Sequence, residues 1–463
     1  MGETIHASVL LSTLGIIILA GSLLRRKVDF LLFFNVFFLL AYVLAPLHVW
    51  LGGSSYLPSA YLCAYERYEI GSSGFSALVI VVGYFAVVMG YHLGLARSAG
   101  RKIRLISTWT PSRALHVAGA LLCVSFVAIG IYALQYGGLG QAMRLAIEIR
   151  RSAGVESGPF VFVKHFMAFS HVSLFLVFTS VLTEGLRPRL VLKVLLGVLS
   201  CLGVALTAAL EASRGNVLIL GLVLYLTLAI HKRRLYVPLV LMGGAFAVVF
   251  ILGGKSFYHG LVYGNPVEAF SRVLQTLGSV DVYRALWREF MHPFVSLEAA
   301  LSTTGNVTSP RLFLDWVYAL FYFIPERLFP MQMPDTVAHI NTLMVIGIKE
   351  SIILPGLLGF LWYSGLLPGV VLGGVVFGSI GRWLDAILGK NSQDPLCLGL
   401  YLMVAVRWGK FTMTGEPEVA LFSDFVWLIL LCMFAASSRW FIQSRKPLGE
   451  RQLSSHQGGD LDA

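Results

Sequence analysis

Arg214 sits in Glu211-Ala212-Ser213-Arg214-Gly215-Asn216, a polar break between two long apolar runs. A planar guanidinium at such a break offers a two-pronged fork that suits a pair of phosphate oxygens, where a lysine would offer only a point charge. The bland counterpart is an arginine snorkelling from a short turn toward lipid headgroups. A second constellation lies further along the chain. Arg284, Arg288 and His292 are spaced i, i+4 and i+8, so a helix would align them on one stripe that ends at Pro293, with Tyr283 and Trp287 on the adjoining stripe. Aromatic rings stack on the apolar faces of pyranoses and guanidinium groups hold anions, so this pattern fits a ligand with sugar and phosphate parts. The alternative is a solvated basic face paired with Glu289, although three like charges in a line gain little unless an anion visits.

Other polar groups stand near apolar segments: Lys164 and His165, the Asp335/His339 pair, Lys349 with Glu350, and Arg407, Lys410, Glu416 and Glu418 around one end of a late apolar run. Each also reads as a structural ion pair at a membrane interface. The chain has no P-loop, no GxGxxG after a strand and no HExxH, so ATP-driven transport, a dinucleotide cofactor and a zincin site have no support. Five scattered cysteines without a CxxC pair give neither a disulfide framework nor a zinc site. No cofactor and no metal is expected.

The elements that must position these groups follow from composition. Of 463 residues 57% are hydrophobic and only 13% charged, too few charges for a water-soluble domain of that size. Apolar blocks of about 20 residues predict an all-α polytopic integral membrane protein with eleven transmembrane helices near 5–24, 28–50, 73–95, 114–137, 159–183, 190–211, 213–231, 236–253, 353–381, 396–413 and 420–439. The chain then divides into eight helices over 1–253, a large, mostly helical loop over 254–352, three helices over 353–441 and a polar, disordered tail over 442–463. The stretch Leu139 to Arg151 is expected to lie along the membrane surface. The formal net charge of +11 resides at helix ends, so it points to membrane orientation rather than to a nucleic-acid partner. All the basic loops, from Arg25-Arg26-Lys27 through Lys232-Arg233-Arg234 to the tail, fall on one side. By the positive-inside rule that side is cytoplasmic, which puts the N-terminus and the 254–352 loop outside and the C-terminus inside.

An arginine at an outer hairpin and one large outer loop among eleven spans resembles the Wzy-type bacterial polysaccharide polymerases, most closely the enterobacterial common antigen polymerase branch. Ser213-Arg214-Gly215-Asn216 is similar to the family's polar turn with Arg leading into a helix. Arg288-Glu289-Phe290-Met291-His292-Pro293 looks like its Arg-acid stretch ending in Pro, and Phe323-Ile324-Pro325 and Leu328-Phe329-Pro330 look like its aromatic and Pro elements. Leu354-Pro355-Gly356-Leu357-Leu358-Gly359 and Arg382-Trp383-Leu384-Asp385 are similar in position and texture. One departure stands near Glu416, where related polymerases tend to carry an arginine beside the acid and this chain reads Thr414-Gly415-Glu416-Pro417.

The resemblance implies a GT-C-like, metal-independent glycosyltransferase of the inner membrane, which moves a glycan from undecaprenyl diphosphate onto the next lipid-linked repeat unit on the periplasmic face. Its partners would be the lipid-linked donor and acceptor, membrane lipids and a chain-length regulator. For the diphosphate the implied residues are Arg214 and Arg288, with His292, Arg284, Arg407 and Lys410 assisting. For the base they are Glu289, Glu350 or Glu416, and for sugar stacking Trp287 and Tyr283. A lipid-linked oligosaccharide flippase and an O-antigen ligase are the competing readings. A flippase needs charges spread through many spans, whereas here they crowd the outer edge. The topology predicts that a reporter active only in the cytoplasm works when fused after Gly100 and fails after Tyr258; the reverse pattern would overturn it.

Overall fold

A computed structural model describes residues 2–25, 27–52, 74–106, 109–151, 161–211, 213–262, 267, 268, 271, 274, 275, 287, 289–321, 334–347, 352–389 and 393–442. Within these residues the chain is almost wholly helical. Helix α1 (Gly2–Arg25) leads through Asp29, whose side chain accepts a hydrogen bond from Leu32 N, into α2 (Phe30–Phe38), a π turn (Leu39–Leu44) and α3 (Ala45–Gly52), which continue one another. Then come α4 (Gly74–His92), the short amphipathic α5 (Gly94–Lys102), strand β1 (Ile103–Ile106), α6 (Pro111–Gln135) and α7 (Leu139–Arg151). Helices α8 (Phe169–Glu184), α9 (Leu190–Leu210), α10 (Gly215–His231) and α11 (Val237–Val262) complete the first part. Three shorter helices follow: α12 (His292–Thr303), α13 (Leu314–Phe321) and α14 (Val337–Ile346). Helices α15 (Gly356–Leu388), α16 (Pro395–Thr414) and α17 (Pro417–Ser437) and strand β2 (Arg439–Ile442) close the chain.

Among the described residues ten helices are long and apolar enough to cross a membrane, against the eleven expected. The difference is α10, whose 17 residues make a rod of about 25 Å, short of a hydrocarbon core of about 30 Å. Helix α11 runs past the expected boundary at 253 to Val262. Of the segment placed between helices, the described part is helical in α12 to α14, with a turn at Gly305 (φ +91°), where Gly305 N donates to Thr308 O. The expected tail lies outside the described residues, save that β2 pairs antiparallel with β1, Ile103 opposite Ile442 and Ile106 opposite Arg439.

Hydrophobic burial does not hold helices together in lipid, so close packing and polar contacts must. Helices α4 and α15 meet through small residues: Gly374 and Gly378 lie against Ala86 and Val87, and Gly90 lies against the backbone of Val375. A methyl group at Gly378 would overlap the Val87 carbonyl oxygen. Beside this seam runs an aromatic core in which Phe34 stacks near Tyr84 (centroids 6.0 Å apart) and Phe377 stacks on Trp408 (4.8 Å).

Helix α15 breaks once. Gly365 (φ −167°) and Leu366 (φ 56°) leave helical geometry, and Pro368 has no N–H for the Ser364 carbonyl. Two donors from the 309–313 segment replace the lost bonds: Arg311 N reaches Tyr363 O at 3.0 Å and Leu312 N reaches Ser364 O at 2.7 Å. The residues after the break are long enough to span a bilayer unaided. The residues before it stand with α12 to α14 in a cap over one end of the bundle.

The glycine seam generates a stability prediction. Gly378→Ala should cost roughly 1–3 kcal/mol through overpacking and lower the monodisperse fraction of detergent-extracted protein on size exclusion. Gly221→Ala, where no atom lies within 4 Å of the added carbon, should leave that fraction unchanged or raise it, because alanine favours helix. Equal behaviour of the two variants would show that the seam is not under packing constraint.

Candidate active site at the capped end

The loop between α9 and α10 ends at Arg214, which takes the capping position of α10. The Arg214 guanidinium bridges two partners that are distant in sequence. Its Nη1 donates to Ile251 O on α11, and its Nη2 lies 3.2 Å from Oε1 of Glu289. Gly254, one turn from Ile251, makes room for the arginine stem, since a Cβ there would stand 2.9 Å from Arg214 Cδ. The guanidinium is largely packed, with its side chain 13% exposed, whereas Glu289 is 44% exposed. The cation is therefore held in a fixed direction while its carboxylate partner stays open to solvent and to an incoming ligand.

His292 opens α12 three residues after Glu289, and its Nε2 lies 3.1 Å from Met413 O at the end of α16. Burial lowers its pKa below the usual histidine value, against the pull of the Met413 and Glu289 carbonyls and the Glu289 charge. It is thus neutral at pH 7 and donates its Nε2–H to that carbonyl. Trp287 stacks on His48 with centroids 5.5 Å apart and meets Phe290 edge-on at 6.4 Å, so His48 covers one of its faces.

Glu416 lies in the turn between α16 and α17, 1% exposed, where its Oε2 accepts from Ala338 N at 2.9 Å. Burial, with Asp315 and Glu418 nearby, pushes its carboxyl up to about 8, and Arg311 offsets this only in part. It is protonated at neutral pH. Arg311 is engaged by Asp315 through Nε at 2.8 and 3.0 Å.

Arg407 has Glu211, at the end of α9, as an electrostatic neighbour. It lies buried within α16, paired with Asp424 of α17, its Nε 3.2 Å from Met403 Sδ and its guanidinium over the Trp427 ring at 5.6 Å. Lys410 is half-buried one turn further on. His339 Nδ1 is bound to Thr336 Oγ1 at the start of α14, and His165 stacks on Phe422 at 4.9 Å. Tyr283, Arg284, Arg288, Lys349 and Glu350 lie outside the described residues. The structure thus brings Arg214, Glu289 and His292 to one place, next in sequence to Arg288, and puts Glu416 behind them in the packed cap.

Some polar groups that build this cap escape sequence reasoning. Asn341 Nδ2 donates to Ser296 Oγ and to Ile353 O, both at 2.9 Å, while Thr342 Oγ1 accepts from Ile353 N at 2.7 Å. These bonds stitch α12, α14 and the approach to α15 together. Glu298, 2% exposed in α12, has an Oε1 without a hydrogen bond among the described residues, and burial pushes its carboxyl up to about 7. A lone acid in the apolar run Phe294 to Leu301 was the available signal. No group of three His, Cys, Asp or Glu side chains placed to hold a metal occurs among the described residues.

Compared with known proteins, the chain matches no family model, no curated protein and no solved structure. Its fold and its polar groups define a helical, multi-pass membrane protein with a folded cap that carries an arginine–carboxylate pair at one end of the bundle.

The buried acids set a pH dependence. Glu416 and Glu298 bind protons more tightly folded than unfolded, so between the ordinary carboxyl range and about 8 the folded state holds more protons and stability falls as pH rises. Thermal unfolding in detergent should show a melting temperature that declines from pH 5.5 to 8.5. Glu416→Gln keeps an acceptor for Ala338 N and removes the ionisation. It should flatten that slope and stabilise at pH 8 by on the order of 3 kcal/mol. A variant with the wild-type slope would show that Glu416 ionises freely.

Proposed function

We propose that the protein is a membrane glycosyltransferase of the polysaccharide polymerase kind, which joins oligosaccharide repeat units carried on undecaprenyl diphosphate. The observation that carries this reading is the Arg214–Glu289 pair, which joins the α9–α10 hairpin to the start of the cap across 75 positions of sequence. It sets beside one another the two chemical functions that glycosyl transfer from a diphosphate requires. One is a fixed guanidinium, with donors beyond those engaged by Ile251 and Glu289, to receive the charge that builds on the leaving diphosphate. The other is an accessible carboxylate to take the proton of the acceptor hydroxyl.

In the proposed step the acceptor oxygen bonds to the anomeric carbon as the anomeric C–O bond to the diphosphate breaks. The bonding pair leaves with the diphosphate toward Arg214, a role that Arg288, the sequence neighbour of Glu289, is proposed to share, and the hydroxyl proton passes to Glu289. Neutral His292, turned toward Met413 O, props the start of α12 so that Glu289 faces the hairpin. The basic loops lie at the other end of the bundle. The positive-inside rule applied to those loops supports a periplasmic position for the capped end, the face on which the proposed extension of lipid-linked repeat units would run.

The test is the ladder of glycan lengths in cells carrying Arg214→Lys or Arg288→Lys at matched protein level. Each change keeps the charge and loses the fork, so turnover should fall about a hundredfold and the ladder should shorten toward a single repeat. Glu289→Gln should shorten it likewise. A wild-type ladder from both Lys variants would remove the diphosphate role and return Arg214 to a structural arginine at the membrane edge.

A further inference from the structure

At the end of the bundle opposite the cap, basic residues from three parts of the chain surround one cavity of about 560 Å3. Lys27 comes from the bend between α1 and α2, Arg97 and Arg101 from one face of α5, and Arg382 from the last turns of α15. Two carboxylates, Asp29 and Asp385, also line it, so cations exceed anions in its wall by two.

Those carboxylates are committed elsewhere. Asp29 Oδ2 holds Arg25 at 2.6 Å and its Oδ1 caps Leu32 N at 3.1 Å. Asp385 Oδ1 accepts from Tyr401 Oη at 2.9 Å and from Phe30 N at 3.2 Å, and its Oδ2 takes the Tyr91 hydroxyl at 2.6 Å. The Tyr91 oxygen in turn accepts from Arg382 Nη1 at 3.1 Å, and both Arg25 and Arg382 lie over its ring, at 5.1 and 5.0 Å. This network forms a rigid floor that orients Arg382. Above it Arg97 has Arg101 and Arg382 as electrostatic neighbours. Like charges one helical turn apart repel, and an anion between them relieves that repulsion.

We infer that this cavity binds a phosphate-bearing group. Its volume falls in the range of small-molecule sites and far exceeds the needs of a single phosphate, so it accommodates a phosphodiester together with its alcohol. Val28, Ile230 and Leu398 in the wall supply an apolar side for an amphiphilic ligand. The site lies at the ends of helices long and apolar enough to cross a membrane, and beside a headgroup layer each basic residue contributes about 1 kcal/mol toward an anionic lipid. A lipid headgroup and a soluble phosphate ester share the chemistry that recognises them.

The test uses the full-length protein. In phosphatidylcholine nanodiscs it is titrated with phosphatidylglycerol, and in detergent with inorganic phosphate, with melting temperature as the readout. Wild type should gain stability, and Lys27→Gln/Arg97→Gln should weaken the apparent affinity about thirtyfold. A response to phosphatidylglycerol alone assigns the site to a lipid headgroup, and a response to inorganic phosphate as well assigns it to the phosphate group itself. Identical titrations for wild type and the double variant overturn the inference. If the double variant does not survive purification, Arg97→Lys is set against Arg97→Gln; Lys should retain binding and Gln should lose it, and equal affinities would overturn the inference just as firmly. Because Lys27 and Arg97 are exposed and remote from Arg214 and Glu289, glycan transfer has no part in the readout.

Discussion

Near a membrane every backbone amide and carbonyl must find a partner within the protein, and α15 places two carbonyls outside that rule at Tyr363 and Ser364. The donors that rescue them, Arg311 N and Leu312 N, belong to the segment between α12 and α13. The cap is therefore fastened to α15 at the break, just before that helix runs on into the bundle. Other contacts of the same kind follow from that anchoring: Tyr42 Oη accepts from Leu358 N, Ser296 Oγ donates to Leu354 O, and Glu416 accepts from Ala338 N. Gly356 and Gly415 sit backbone against backbone beneath them, both at positive φ, where a side chain would have neither the space nor the conformation. With the cap fixed this closely, the start of α12 reaches the α9–α10 hairpin and Glu289 meets Arg214.

The two ends of the molecule use charge in different ways. At the capped end carboxyls are buried with little compensation, so Glu416 and Glu298 hold their protons more tightly than ordinary carboxyls, with Arg311 the cation near Glu416, while Arg214 is fixed against Glu289. At the other end carboxylates are saturated by tyrosine, arginine and backbone donors. Two further charges are matched, buried Arg407 with Asp424 of α17 and buried Lys193 with Glu184 at the α8–α9 turn, as a low-dielectric setting favours.

Hydropathy made most of the helices legible, because a lipid-facing rod announces itself by twenty apolar residues in a row. It also located the α9–α10 hairpin and its arginine. It could not see where a helix stops in space once its polarity changes: α5 carries the line of α4 on to Lys102, and α15 continues past a break that only Gly365 and Pro368 hint at. Pairings were beyond it altogether. Arg407 was expected with Lys410, Glu416 and Glu418 around one end of the late apolar run, and periodicity does not reveal that Asp424 of α17 stands across from it. The link between Arg214 and the Arg288-Glu289 stretch was inferred from a resemblance in motifs, and the structure seats Glu289, though not Arg288, within its described part. Glu298 stayed hidden because a single acid in an apolar run looks the same whether it faces a partner or a turn of backbone, and Asn341 and Arg311 because polar residues in a short polar stretch look the same whether they cap, pair or face water.

The small sheet of β1 and β2 carries a consequence for how the chain is made. Strand β1 leaves the ribosome about 330 residues before its partner, Ile106 being paired with Arg439. At common synthesis rates of about 5–20 residues per second, β1 waits on the order of half a minute with its hydrogen-bonding edge uncovered. All the later helices must enter the membrane within that interval. The sheet therefore closes only after every helix from α6 to α17 has been made, and a message cut short before Arg439 yields a chain whose β1 edge stays open, a form that quality-control proteases can distinguish from the finished protein.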